Sequence, residues 1–120
     1  MEIKVDRTGT VIVVSLKGAV DLVSAPPLRA TLNQLLTHAA PKLVIDLSGV
    51  DNLDRYGLGI IVEAVRRARQ TGGDTRLCAP RPNVREILDV TGLSKHISVL
   101  PSRRDALVSW FSAKSASSPD

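Results

Sequence analysis

The chain begins with two segments whose apolar positions follow the pattern of β-strands. Ile3 and Val5 alternate with polar residues, turn-forming residues follow at 8–10, and residues 11–16 are almost continuously apolar and β-branched. Alternation is typical of a half-buried strand, whereas a short unbroken apolar run is typical of a fully buried one. We therefore expect a β-hairpin whose second strand lies inside a sheet and ends at Gly18.

Apolar residues at helical spacing predict four helices farther along the chain. Their expected positions are between Ser24 and Pro41, from about residue 56 to 70, from Pro82 onward, and after Ser102. Proline suits the first turn of a helix, where the backbone amide has no helical partner. The last helix is expected to bury Leu107, Trp110 and Phe111.

Short apolar strands separate these helices, at residues 43–45, 76–79 and 97–100, the first with Asp46 at its end. Strands that alternate with helices favour parallel pairing after the initial antiparallel hairpin. The predicted fold is therefore an α/β domain with a mixed sheet and about four helices at residues 1–111, followed by a flexible tail at 112–120. The residues expected in its core are Val13, Leu35, Val44, Ile45, Ile61, Val65, Leu77 and Ile87.

The composition is that of one small globular domain. Hydrophobic residues make up 43% of the 120 residues and charged residues 23%, with a net charge of +4. The single cysteine, Cys78, excludes an internal disulfide and is expected to be an inert core thiol. Aromatic residues, at 2%, are too few for a base-stacking nucleic-acid surface. The N-terminus lacks the shape of a signal peptide, and the apolar runs are too short for a membrane span, so the expected location is cytoplasmic.

Motifs for enzymatic chemistry are incomplete. Gly57-Leu58-Gly59 begins a dinucleotide fingerprint, but Val62 stands where the third glycine is needed. The sequence contains no phosphate-binding loop and no nucleophile elbow. His38 and His96 are far apart in sequence, and each is expected to be a solvated side chain rather than a metal ligand. We therefore expect neither an enzyme nor a bound cofactor or metal.

The segment 46–59, which joins a buried strand to the second helix, concentrates the candidate functional residues. They are Asp46, Asp51, Asp54, Tyr56, Gly57 and Gly59. Two interpretations are open. The glycines could let a partner or ligand approach the backbone closely. Alternatively, one of the aspartates caps the helix and the glycines allow tight packing of the helix on the sheet.

Several short motifs follow one another along nearly the whole chain. They are Gly18-Ala-Val-Asp21, Val44-Ile-Asp-Leu-Ser-Gly-Val50, Leu53-Asp-Arg-Tyr-Gly-Leu-Gly59, Gly72-Gly73, Leu77-Cys78 and the spaced apolar residues from Val84 to Leu93. In this order they resemble the STAS domain, and more narrowly the anti-sigma-factor antagonists of bacteria, over residues 2–111. The resemblance implies a small mixed-sheet domain that binds an anti-sigma factor which is itself an ATP-dependent serine kinase, and so frees a sigma factor. Phosphorylation of a serine directly after the motif aspartate blocks that binding.

The chain departs from the family pattern at the phosphorylation site. The family has Asp-Ser-Ser/Thr-Gly-Leu-Gly, whereas residues 54–59 read Asp-Arg-Tyr-Gly-Leu-Gly, so that Arg55 occupies the acceptor position. A guanidinium offers no hydroxyl, and we expect no phosphorylation at Arg55. Two interpretations are open here as well: Arg55 has a function of its own, or it pairs with Asp51 or Asp54 as an ordinary surface residue.

The resemblance thus predicts a non-enzymatic regulator that binds an anti-sigma serine kinase. The expected partner-binding residues are Asp21, Ser24, Asp51, Asp54, Arg55, Tyr56, Gly57 and Gly59. Tyr56 is the expected anchor, because a tyrosine supplies both contact area and a hydrogen bond, and Asp46 is expected to orient the loop. The protein is expected to be a monomer or a weak dimer that binds neither nucleic acid nor membrane.

Two alternative functions remain from the sequence. One is a small-ligand or nucleotide-binding STAS subunit of a sensing or transport complex. The other is nucleic-acid binding, suggested only by the arginines between residues 66 and 85. Since Glu63 and Glu86 interleave with these arginines and no recognition-helix motif accompanies them, a solvated helix face is the preferred interpretation.

Overall fold

Residues 1–117 form a five-stranded mixed sheet with four α-helices. The computed structural model describes these residues, and residues 1–111 with their side chains. The strands are β1 (Glu2–Thr8), β2 (Val11–Val20), β3 (Lys42–Leu53), β4 (Asp74–Cys78) and β5 (Val99–Leu100). The helices are α1 (Ala25–Leu35), α2 (Arg55–Gln70), α3 (Pro82–Val90) and α4 (Arg103–Ser117), with a 3₁₀ turn at Leu93–Lys95. The strands lie in chain order, β1 antiparallel to β2 and the others parallel, which confirms the predicted fold class.

Strand β2 continues past Gly18, where the sequence predicts its end, and reaches Val20. Gly18 has a φ of +105°, a conformation that glycine adopts without steric cost. The pairing of β2 with β3 shifts register between Ser15 and Lys17 and again after Gly18. Such irregularities let a strand bend and continue, which explains why a glycine here does not terminate it.

Strand β3 is also longer than predicted, and Asp46 therefore lies inside the sheet rather than at a strand end. Asp46 pairs with Ser15 on one side and Cys78 on the other, and β3 runs on to Leu53 beside the extension of β2. Close approach of the two strands requires Gly49, because a Cβ there would lie 2.7 Å from the carbonyl oxygen of Leu16. Most of the segment predicted as a loop is thus strand.

The core lies on both faces of the sheet. Helices α1, α2 and α3 cover one face, and α4 covers the other. The predicted core residues that are fully buried are Val13, Val44, Ile45, Ile61, Val65 and Leu77. Leu35 and Ile87 are only half-buried and pack at the margin of the first cluster.

Helix α4 buries less aromatic surface than the sequence predicts. Ala106 is buried, and Leu107 and Trp110 pack partly buried beside it, whereas Phe111 is 53% exposed. Each helical residue is rotated by about 100° from the one before, so Phe111 turns away from the face that holds Trp110. Its ring lies instead near Gly9 at the hairpin turn. The predicted tail begins within α4, and residues 118–120 lie outside the described residues.

Candidate functional site

Asp54 lies at the junction where β3 ends and α2 begins. Its Oδ1 accepts hydrogen bonds from the backbone N–H groups of Tyr56 at 2.9 Å and Gly57 at 3.0 Å. These two groups belong to the first helical turn and have no partner within the helix. Of the two interpretations left open for the carboxylates of this segment, capping of the helix therefore applies to Asp54.

A tight turn between β2 and α1 is held by Asp21 and Ser24. Asp21 Oδ1 accepts the N–H groups of Val23 at 3.1 Å and Ser24 at 3.0 Å, and Ser24 Oγ accepts the N–H of Asp21 at 2.8 Å. The hydrogen bond from the Ser24 amide lowers the pKa of the Asp21 carboxyl from its ordinary value. The turn is thus ordered by its own side chains.

Ser24 precedes α1 as predicted, but its side chain does not cap the helix. A capping side chain accepts from the N–H groups of the second or third helical residue. Those residues are Pro26 and Pro27, which have no N–H to donate. The Ser24 hydroxyl instead forms hydrogen bonds within the turn and donates one to the carbonyl oxygen of Ala19 at 3.0 Å.

Two hydrogen bonds join this turn to the start of α2. The N–H of Leu22 donates to Asp54 Oδ2 at 3.2 Å, and the N–H of Asp54 donates to the carbonyl oxygen of Val20 at 3.2 Å. The turn at residues 21–24 and the segment at residues 51–59 therefore form one continuous surface, which we call the turn–helix surface. The sequence predicted both parts as partner-binding, and the fold brings them together.

The two glycines of the turn–helix surface have different environments. A Cβ on Gly57 would lie 2.5 Å from the carbonyl oxygen of Val20 and 2.7 Å from Leu53 Cδ1. Gly57 is buried and is required by the packing of α2 against the sheet. A Cβ on Gly59 would have no atom of the described residues within 4 Å, and Gly59 is exposed. The fold therefore leaves room for a side chain at position 59 but none at position 57.

Arg55 and Tyr56 are both exposed and contact each other. Arg55 Nη2 lies 3.3 Å from Tyr56 Oη, and its guanidinium carbon lies 5.1 Å from the centre of the tyrosine ring. The ion pairs formed among residues 1–111 do not include one between Arg55 and Asp51 or Asp54. The interpretation of Arg55 as the ion-pair partner of a neighbouring aspartate is therefore wrong, and the guanidinium rests on the tyrosine instead.

Asp46 lies away from the turn–helix surface, under the start of α4. Its carboxylate accepts hydrogen bonds from the Ser48 N–H at 2.9 Å and from Arg103 Nε at 3.1 Å. Burial alone would raise the pKa of Asp46, but the hydrogen bonds from Ser48 and Arg103 outweigh it and lower the pKa from its ordinary value. Asp46 thus connects the middle of β3 to α4. Asp51, by contrast, is exposed, and its backbone carbonyl accepts a hydrogen bond from Asn83 Nδ2 at 2.9 Å.

The predicted turn contains two apolar residues that sequence reasoning did not single out. Leu22 is 57% exposed and Val23 is 84% exposed, although both are aliphatic. Tyr56, on the other side of the Asp54 bridge, is 42% exposed. The signal in the sequence that could have identified them is a pair of adjacent apolar residues in the turn between Asp21 and Ser24. Together with Tyr56, these two adjacent side chains form an exposed apolar area on an ordered turn, which is a candidate contact for a protein partner.

The arginines between residues 66 and 85 each contact another group of the protein. The contacts are Arg66 with Glu63, Arg67 with Asn33, Arg69 with Asp74, Arg76 with Asp74, Arg81 with the carbonyl of Ser48, and Arg85 with Asp89. Arg66 and Arg85 are exposed on helices and fit the solvated-face interpretation, whereas Arg76 lies in β4 with a side chain only 16% exposed. None of the helices within residues 1–117 combines the length and the apolar character that crossing a membrane requires.

Comparison with known proteins agrees with this architecture. Residues 2–106 match the STAS domain family model. The chain is 33% identical over 86 residues to the anti-sigma-B factor antagonist of Bacillus subtilis, covering 72% of this chain and 78% of the relative. It is 25% identical over 108 residues to the anti-sigma F factor antagonist of Paenibacillus polymyxa, covering 89% and 92%.

Among solved structures, the crystal structure of an anti-sigma factor antagonist from Mycobacterium paratuberculosis superimposes with a TM-score of 0.83. The sequence identity is 32%, and the match covers 90% of this chain and 92% of the other. The family model spans most of the chain. The chain belongs to the STAS domain family.

Proposed function

We propose that this protein is an anti-sigma factor antagonist that binds an anti-sigma serine kinase through the turn–helix surface and so releases a sigma factor. The proposal is supported by relatives that are named as antagonists of anti-sigma factors. The observation that carries it is the exposure of Leu22 and Val23 on a turn tied to the start of α2. Binding is favoured because the turn is already ordered, so little conformational entropy is lost on association.

The proposed antagonist acts without catalysis and without a phosphorylation switch at position 55. A serine kinase needs a hydroxyl acceptor, and Arg55 provides none. The phenol oxygen of Tyr56 lies farther from its backbone than a serine hydroxyl would. We therefore propose that the complex persists in the presence of ATP. We also propose that residues 1–111 suffice to form it, and that it forms in the cytoplasm without a cofactor.

Gly59 allows the proposed interface to be tested without disturbing the fold. Because a Cβ at Gly59 would meet no atom of the described residues within 4 Å beyond the adjacent backbone of its own helix, Gly59→Trp should fold normally while placing a bulky side chain on the turn–helix surface. Val90→Trp is the matched control, since Val90 is 79% exposed at the end of α3. Both variants are titrated by calorimetry against the purified anti-sigma kinase captured from the source cells.

We expect Gly59→Trp to weaken binding at least tenfold, or by about 1.4 kcal/mol, while Val90→Trp binds like wild type. Melting temperatures of both variants should stay near that of wild type. Equal affinities for Gly59→Trp, Val90→Trp and wild type would place the partner on another surface. No binding by the wild-type protein would refute the antagonist function itself.

Binding of a small ligand is a second candidate, favoured by a cleft on another part of the molecule. The cleft has a volume of about 520 Å³, and its apolar walls are Val65, Leu93 and Ile97, with Arg66 and Arg69 at its edge. Its size falls in the range of small-molecule sites, and a phosphate group bound there would compete with Glu63 for Arg66 and with Asp74 for Arg69. A melting temperature that rises with the concentration of ATP or GTP would support this function, and an unchanged melting temperature would oppose it.

A further inference from the structure

Position 55 carries an exposed cation on a surface where two of the carboxylates, those of Asp21 and Asp54, are already engaged. Asp54 accepts three backbone N–H groups, those of Leu22, Tyr56 and Gly57. Asp21 likewise accepts the N–H groups of its own turn. Hydrogen bonds of this kind delocalise and stabilise the negative charge of a carboxylate. Neither carboxylate forms an ion pair with Arg55. Asp54 therefore serves as the cap of the helix, and the positive charge of Arg55 is left for a different contact.

The guanidinium of Arg55 contacts the neighbouring side chain of Tyr56. It rests on the ring of Tyr56, at 5.1 Å from the ring centre, and one terminal nitrogen lies 3.3 Å from the tyrosine oxygen. A guanidinium has five N–H donors in a rigid planar fork, and a single contact with a hydroxyl leaves most of them available. An arginine stacked in this way loses little additional freedom when it binds a carboxylate through two parallel hydrogen bonds.

We propose that Arg55 recognises a carboxylate on the partner. On the partner's surface, this carboxylate lies beside an apolar depression that receives Leu22 and Val23. This inference deepens the proposed function and rests on it, because the partner in question is the anti-sigma kinase. The charges of the turn–helix surface set the orientation of the partner. Arg55 requires an acidic side chain of the partner opposite it, whereas the exposed, negatively charged Asp51 does not. Arg55 is thereby a specificity residue, which selects a partner with an acidic side chain at this point and discriminates against one with a basic side chain there.

The proposal predicts a defined chemical cross-link. Arg55→Lys keeps the positive charge and introduces a primary amine, which a carbodiimide couples to an adjacent carboxylate as an amide with loss of water. We expect mass spectrometry of the complex to find residue 55 joined to an Asp or Glu of the purified anti-sigma kinase. Arg104→Lys is the control, since Arg104 is exposed on α4, on the opposite face of the sheet, and should give no such peptide.

Reversal of charge gives a second, independent test in calorimetry. Arg55→Glu should weaken binding at least tenfold, whereas Arg104→Glu, which makes the same change in net charge, should bind like wild type. Exchanging the cross-linked partner carboxylate for lysine should weaken binding of wild type and restore binding of Arg55→Glu. Rescue of this kind requires that the two side chains face each other.

The outcomes separate this inference from the proposed function. If Gly59→Trp abolishes binding while Arg55→Glu binds within about twofold of wild type, the turn–helix surface stands and the carboxylate partner of Arg55 is refuted. Absence of any cross-link from Arg55→Lys in a complex that otherwise forms would refute it as well. If the wild-type protein does not bind the kinase, both proposals fail together.

Discussion

The backbone N–H of Leu22 donates a hydrogen bond to the carboxylate of Asp54 at 3.2 Å, which joins residues 32 positions apart in the chain. The other oxygen of the same carboxylate caps α2. One side chain therefore fixes both the turn that displays Leu22 and the helix that displays Tyr56. The geometry of the turn–helix surface therefore depends on this carboxylate.

Removal of the Asp54 carboxylate should destabilise the protein and loosen the turn. Asp54→Ala loses the cap of α2, worth about 1 kcal/mol, and the bond to Leu22, worth about as much again. Urea unfolding should show a loss of roughly 1–3 kcal/mol, and amide exchange at Leu22 should accelerate. Asp51→Ala is the control, because an exposed substitution of this kind changes stability by about 0.5 kcal/mol or less. Equal losses for the two variants would contradict the bridging role of Asp54.

Alanine at the two glycines of α2 should have opposite effects on stability. Gly57→Ala places a methyl group 2.5 Å from the carbonyl oxygen of Val20, so the helix must shift, at a cost of about 1–3 kcal/mol. Gly59→Ala meets open space and reduces the freedom of the unfolded chain, so it should stabilise the protein by about 0.5–1 kcal/mol. Thermal or urea unfolding measures both values. A stabilising Gly57→Ala would show that α2 does not pack on β2 in this way.

The Cys78 thiol should be nearly inert in the native protein. Burial, and secondarily the negative charge of Asp46, raise the pKa of Cys78 to about 12, so very little thiolate is present at neutral pH. Cys78 is also fully buried between the sheet and α4. Labelling with an aromatic disulfide reagent should be slow in buffer and fast in guanidinium chloride. Rapid labelling in buffer would show that α4 does not cover this face.

The contact between Asp46 and Arg103 should make stability depend on pH in acid. The pKa of Asp46 is lowered in the folded state, so its contribution is complete above the unfolded value of about 4 and is lost as the pH falls through the folded value. At neutral pH, Asp46→Asn should cost about 1–2 kcal/mol, because a partly buried charged hydrogen bond to Arg103 is weakened. The difference from wild type, measured by urea unfolding, should shrink below about pH 4. A difference that persists unchanged at lower pH would contradict this role.

The sequence predicts the order and type of the elements well because their signals are local. The apolar run at 11–16, the helical stripe of α2 and the proline that opens α3 each depend on neighbouring residues only. The end of β3 could not be predicted, because Ser48, Gly49 and Asn52 have the composition of a loop. They form strand only because the extension of β2 lies beside them.

The same distinction applies within the candidate site. The replaced acceptor residue can be identified from a motif and its spacing, whereas the sequence narrows the helix cap only to Asp51 or Asp54. The separate roles of Gly57 and Gly59 cannot, because they depend on the distance from α2 to Val20. The exposure of Leu22 and Val23 likewise results from the hydrogen bonds that order the turn, and apolar composition by itself predicts burial.

The most direct test of an antagonist that position 55 cannot switch is its affinity for the anti-sigma kinase with and without usable ATP. Wild type and Arg55→Ser are each titrated by calorimetry in ATP and in a non-hydrolysable analogue, and both proteins are then examined by mass spectrometry. We expect wild type to bind equally in both nucleotides and to remain unmodified. Arg55→Ser regains a hydroxyl beside Asp54 and serves as the comparison protein that has an acceptor at position 55. Phosphate on Tyr56, or loss of wild-type binding in ATP alone, would contradict the proposed function.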